Sequence, residues 1–121
     1  MWHPLNKRVL FVVNEAPYGS ERTYNALRHA NAVASSVEVV QVFFLGDGVA
    51  AARRGQQTPN GYYNVERMLR QADRQGVVMG VCGSCMDARA LAADALVPGA
   101  HRSSMEELAA WTAAADQVLV Y

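Results

Sequence analysis

The sequence predicts an α/β fold, a three-layer α/β/α domain built on a mainly parallel, five-stranded sheet. Three observations carry the prediction. Four apolar runs lie at 9–13, 37–45, 77–81 and 118–121, and the first, Val9 to Val13, is a continuous β-branched and aromatic run, as expected of a strand buried on both faces. Stretches of helical period lie between them, and glycine-containing loops follow the first three runs. Strands that alternate with helices in a chain of 121 residues imply one domain, 1–121, with right-handed crossovers and helices on both faces of the sheet.

Taken in order, the strand at 9–13 runs into a loop at 14–20 that holds Pro17 and Gly19, with Ser20 placed to cap a helix over 21–35. Tyr24, Leu27, Ala30 and Ala34 mark that helix's apolar face. The second strand ends in Gly46-Asp47-Gly48, and 49–54 reads as a short helix before the one long loop, 55–64. Asn64 caps the next helix, in which Val65, Met68, Leu69 and Ala72 fall at i, i+3, i+4 and i+7. The third strand delivers Cys82, and a helix over 86–95 follows. A short strand fits 100–102. Ser103 with Glu106, or Ser104 with Glu107, forms a capping box for a helix whose face is Met105, Leu108, Ala109 and Thr112. Residues 118–121 close the sheet.

Composition narrows the function. Eleven basic residues balance eleven acidic ones, and no Lys/Arg cluster stands out, so no nucleic-acid partner is expected. The apolar runs are too short to span a bilayer, which argues against a membrane. Residues 1–8 lack the charge-then-apolar order of a leader, so a cytoplasmic protein with reduced cysteines is expected. In that compartment a CxxC reads as catalytic, redox or metal-binding.

Both cysteines of the chain lie in Cys82-Gly83-Ser84-Cys85. Reactive groups in parallel sheets collect beyond the carboxyl ends of the strands, and three loops meet there: 14–20, 46–48 and 82–85. Cys82 is expected at the strand end and Cys85 in the first helical turn, where free amides favour a thiolate. Arg89, one turn on, adds a favourable charge, while Asp87 opposes it. Asn14, Tyr18, Gly19, Ser20 and Asp47 from the neighbouring loops join Arg89 as residues placed to stabilise the thiolate or bind substrate. The plainer reading is that both cysteines are small buried hydrophobes at a strand–helix junction.

Other chemistry has less support. A closed zinc site needs four ligands. The CxxC supplies two, and His3, His29 and His101 are not paired at ligand spacing, so no metal is expected from this chain alone. His29 reads as solvated, and His101 as able to approach the cysteine rim. The loop at 17–20 is neither a Walker A loop nor a dinucleotide fingerprint, and no cofactor is expected. Tyr62 and Tyr63 form a lid, a subunit contact or a turn packed on its own domain. Trp111 sits at a subunit interface or at the core boundary.

These residues together resemble the DsrE/DsrF-like family of small sulfur-relay proteins, most closely its YchN-like branch. The resemblance is carried by 14–21 (NEAPYGSE), 45–49 (LGDGV), 54–56 (RGQ), 61–64 (GYYN), 82–89 (CGSCMDAR) and 108–111 (LAAW). It implies a flavodoxin-like fold, assembly into trimers or hexamers, and sulfur carried as a cysteine persulfide between donor and acceptor proteins. It also implies that Cys82, seven residues before Arg89, is the sulfur-bearing thiol with Cys85 beside it. Ala90 stands where the family commonly has glycine. Three activities follow in order of expectation: a persulfide carrier, a dithiol–disulfide redox protein, and an oligomeric module that binds a ligand or partner without using its thiols.

Overall fold

The computed structural model describes residues 5–121, so His3 and the first half of the N-terminal segment lie outside the described residues. The elements run β1 (Leu5–Val13), α1 (Arg22–Val33), β2 (Val37–Phe44), α2 (Val65–Arg74), β3 (Val78–Cys82), α3 (Gly83–Ala88), β4 (Ala100–Ser103), α4 (Met105–Ala114) and β5 (Gln117–Val120), with 3₁₀ segments at Gly46–Ala52 and Ala93–Ala95. The five strands form one sheet in the order β4-β3-β2-β1-β5. Every pairing is parallel. The expected α/β architecture is present, and the sheet is parallel throughout.

Side chains alternate across the strands and sort the helices onto the two faces. Phe11, Val13, Val42, Phe44, Met79 and Val81 point one way, and Phe11 meets His29 of α1 edge-on at 5.0 Å. Val12, Phe43 and Gly80 share the opposite face, where Trp111 of α4 stands edge-on to Phe43 at 6.0 Å and packs over Gly80. The central runs of β1, β2 and β3 are buried on both faces, which explains their unbroken apolar character.

The second face is only partly covered. No residue of α4 is fully buried, and Val78, Val118 and Val120 on that side are 41%, 42% and 68% exposed. The helix packs through Leu108, Trp111 and Ala115, whereas Met105, Ala109 and Thr112 of the expected face are exposed. The run of small alanines presents no contrast between faces, so the bulk of Trp111 decides which side docks. Trp111 thus lies at the core boundary.

Several boundaries differ from expectation for local reasons. Residues 46–52 form a 3₁₀ segment rather than a helix over 49–54. The third helix is expected over 86–95 but occupies Gly83–Ala88. It ends in a Schellman arrangement: Leu91 N–H donates to the Met86 carbonyl at 3.0 Å and Ala90 N–H to that of Asp87 at 3.3 Å. Ala90 takes the left-handed position with φ 52°, and Leu91 and Met86 are both buried in the core. For α4 the cap is Ser104, whose Oγ accepts from Glu107 N–H at 3.2 Å, while the Glu107 carboxylate bonds Ser103 and His101 instead of completing a capping box.

Candidate functional site at the carboxyl edge of the sheet

The early start of α3 makes Cys82 both the last residue of β3 and the N-cap of the helix. Both cysteines are free thiols. They are unequal: Cys82 is 3% exposed, while Cys85 is half-buried. Burial pushes the Cys82 thiol up, but the Ser84 hydroxyl, the Cys85 thiol and the amides of Cys85 and Ser84 together bring it below the ordinary value. Ser84 Oγ is 3.4 Å from its sulfur. Burial also pushes Cys85 up, and there the neighbouring Cys82 reinforces it against the Gly46 amide and the Arg89 charge. One proton shared unevenly between two thiols therefore favours the thiolate on Cys82.

The 3₁₀ segment after β2 forms the wall opposite the thiols. Gly46 N–H donates to Cys85 Sγ at 3.2 Å, and Gly46 is held in the left-handed region with φ 59°. Gly48 sits on the end of β1, where a Cβ would overlap the Val13 carbonyl. This close approach requires glycine and brings the segment over the strand ends. Asp47 accepts from Arg89 Nη2 at 2.8 Å and Nε at 3.1 Å, and Arg89 Nη1 donates to the Cys85 carbonyl at 3.1 Å. Asp47 and Arg89 are thus brought together beside Cys85, and the Arg89 charge acts on that thiol.

The loop after β1 divides its residues. Asn14 stays at the rim: its backbone N–H and Nδ2 donate to the Tyr121 carbonyl at 3.1 and 3.3 Å, joining β1 to the chain end after β5. Tyr18, with φ 71°, turns away to the long loop, donating to Gln56 Oε1 at 2.5 Å and accepting from Val65 N–H at 3.0 Å. Ser20 accepts from Arg22 N–H at 3.3 Å, and Gly19 has open space around it. No hydrogen bond joins Tyr18, Gly19 or Ser20 to either thiol among the described residues.

Tyr62 and Tyr63 pack back on their own domain. Tyr24, Tyr63 and Tyr62 stack at successive centroid distances of 4.2 and 4.6 Å, and Tyr18 lies 5.4 Å from Tyr63. The Tyr63 hydroxyl is buried without a partner, and burial with the adjacent Tyr62 pushes it up to about 12. His29 is exposed, as expected, and it also has partners: Nδ1 lies 2.7 Å from the Tyr121 hydroxyl and its ring packs on Phe11. His101 faces α4 and bonds Glu107. Among the described residues, no third His, Cys, Asp or Glu joins the two thiols in a metal-sized group.

Sequence reasoning missed Arg102. It forks onto Asp87 with both contacts at 2.8 Å, and its guanidinium lies so close to Gly83 that a Cβ there would be 2.9 Å from Nε and Cζ. Asp87 holds the Arg102 charge firmly, and the Cys82 charge adds to that hold. Arg102 is on β4, and only the β3–β4 pairing, Cys82 beside Ser103, brings it to the site.

Comparison with known proteins agrees with this architecture. The sequence model of the DsrE/DsrF-like family matches residues 7–121. Protein YchN of Escherichia coli K12 is 36% identical over 118 residues, covering 95% of this chain and 99% of that protein. The uncharacterized protein MJ0989 of Methanocaldococcus jannaschii is 38% identical over 111 residues, covering 91% and 96%. The crystal structure of E. coli YchN superposes with a TM-score of 0.88, covering 95% and 99% of the two chains. MTH1491 of Methanobacterium thermoautotrophicum, at 17% identity and a TM-score of 0.73, shares the fold over 96% of this chain and 100% of that one. With the family model covering residues 7–121 and YchN alike in both sequence and fold, the chain belongs to the DsrE/DsrF-like family.

Proposed function

We propose that this protein is a small cytoplasmic sulfur carrier that holds sulfane sulfur as a persulfide on its Cys82/Cys85 pair and passes it between donor and acceptor proteins. The observation that carries the reading is the setting of Cys82. It is a thiol at the carboxyl edge of a parallel sheet whose anion is favoured by the Ser84 hydroxyl and two backbone amides. The same groups favour a persulfide anion at that place, and a thiolate is the species that accepts sulfane sulfur. Family membership supports the reading. Assembly into a trimer or hexamer belongs to it, supported by the apolar Val78, Val118 and Val120 left exposed beside α4.

A reversible dithiol–disulfide cycle is the second reading, favoured by the mutual influence of the two thiols. Intact-mass spectrometry after incubation with a sulfurtransferase and thiosulfate separates the two. The carrier reading expects the mass of one added sulfur that reductant removes. A protein that gains no sulfur there, but loses two hydrogens when oxidised glutathione is supplied in place of the donor, is a redox protein.

A further inference from the structure

Resting on the carrier reading, the geometry points to a two-step relay in which sulfur enters at Cys85 and is then handed inward to Cys82. The thiol with the more favoured anion is the one a protein partner cannot reach, since Cys82 is 3% exposed. Cys85 is half-buried and lies against the 3₁₀ wall, with the Gly46 N–H aimed at its sulfur from 3.2 Å. Arg89 grips the Cys85 carbonyl and Asp47, fixing the outer thiol between two elements. Only two small residues, Gly83 and Ser84, separate the cysteines.

In the first step the Cys85 sulfur attacks the terminal sulfur of a donor persulfide and gives up its proton. A Cys85–sulfur bond forms, the donor's sulfur–sulfur bond breaks, and the donor, taking that proton, leaves as a thiol, so that Cys82 keeps its charge. In the second, the Cys82 thiolate attacks the outer sulfur of the Cys85 persulfide. The new bond is to Cys82, the Cys85 sulfur–sulfur bond breaks, and the persulfide proton passes to Cys85. The sulfane sulfur keeps its oxidation level throughout, so neither oxidant nor reductant is consumed. Burial pushes Cys85 toward the protonated form, while the amides around Cys82 favour the anion, so the proton and the charge end where each is best held. Storing the persulfide on the inner thiol shields it from water and stray thiols.

The test uses the full-length protein and a rhodanese domain preloaded with sulfur from thiosulfate, with peptide mass spectrometry locating the added atom over time. Cys82→Ser should still take up sulfur, all of it on Cys85, and hold it there. Cys85→Ser and Cys85→Ala should load Cys82 at least about tenfold more slowly, because attack then waits for local opening. In the unaltered protein, limited iodoacetamide should label Cys85 before Cys82. Loading of Cys82 at the full rate without Cys85 overturns the relay and leaves the carrier reading standing. Absence of added sulfur on every variant and on the unaltered protein overturns both.

Discussion

Arg102 and Asp87 form a two-pronged ion pair, Nη1 to Oδ1 and Nη2 to Oδ2 both at 2.8 Å, that ties β4 to α3 across the top of Gly83. The pair is exposed, so its value is geometric rather than a large store of stability. It holds the guanidinium where a side chain on residue 83 would otherwise stand, and so holds the turn that begins at Cys82.

Gly83→Ala tests that packing. The added Cβ would lie 2.9 Å from Arg102 Nε and from the Ser103 carbonyl. The arginine can swing away, but the strand backbone cannot. A loss of about 1–3 kcal/mol is expected from overpacking, read as a lower urea midpoint. An unchanged midpoint would show that α3 is free to shift.

Ala90→Gly should act in the opposite sense. An alanine at φ 52° is strained by contact of its Cβ with the following carbonyl, and glycine is not. After subtracting glycine's greater unfolded-state freedom, a gain of about 0.5–1 kcal/mol is expected. Thermal unfolding checks it, and a lower melting temperature would contradict the Schellman assignment.

The pH dependence of Cys82 follows from its lowered pKa. Its thiolate fraction should rise with pH through a midpoint lower than that of an ordinary thiol. Removing the hydroxyl with Ser84→Ala should move that midpoint upward, since burial then meets less opposition. Alkylation rates in the Cys85→Ser background isolate the thiol. A midpoint unmoved by the substitution would exclude Ser84 as a cause.

Glu107 gives a pH effect on stability. Hydrogen bonds from Ser103 and His101 hold its carboxyl below the usual range. A folded pKa below the unfolded one contributes stability that is fully present above the unfolded value, about 4.3, and is lost as pH falls through the folded value. The stability difference between the unaltered protein and Glu107→Gln should therefore be constant at neutral pH and shrink in acid. A difference that grows in acid would reverse the assignment.

Much of this fold was legible because burial on both faces writes continuous apolar runs at β1, β2 and β3, and because Asn64 and Ser104 cap their helices with side chains that accept at 3.1 and 3.2 Å. The third helix was not, because its stop signal is an alanine in a position that sequence patterns mark with glycine. The docking face of α4 was hidden by alanines that look alike on every side. Of the site, the two cysteines, Asp47 and Arg89 could be placed from their loops. Arg102 could not, because its partner lies 15 residues away and the two meet only through strand pairing. Tyr18 misled because its place in a rim loop says nothing of its left-handed backbone, which turns the ring to Gln56.

The strand order β4-β3-β2-β1-β5 sets the last strand of the chain beside the first, with Asn14 and Tyr121 bonded across 107 residues. During synthesis, β1 can pair with β2 early, but its other edge has no partner until residues 117–120 have left the ribosome. That edge borders a stretch, Val9 to Val13, with almost no exposure in the finished protein. Pairings this distant in sequence form slowly, and an open apolar edge is where unfinished chains join one another. Pairing of Gln117–Val120 with β1 is therefore the step that closes this apolar edge.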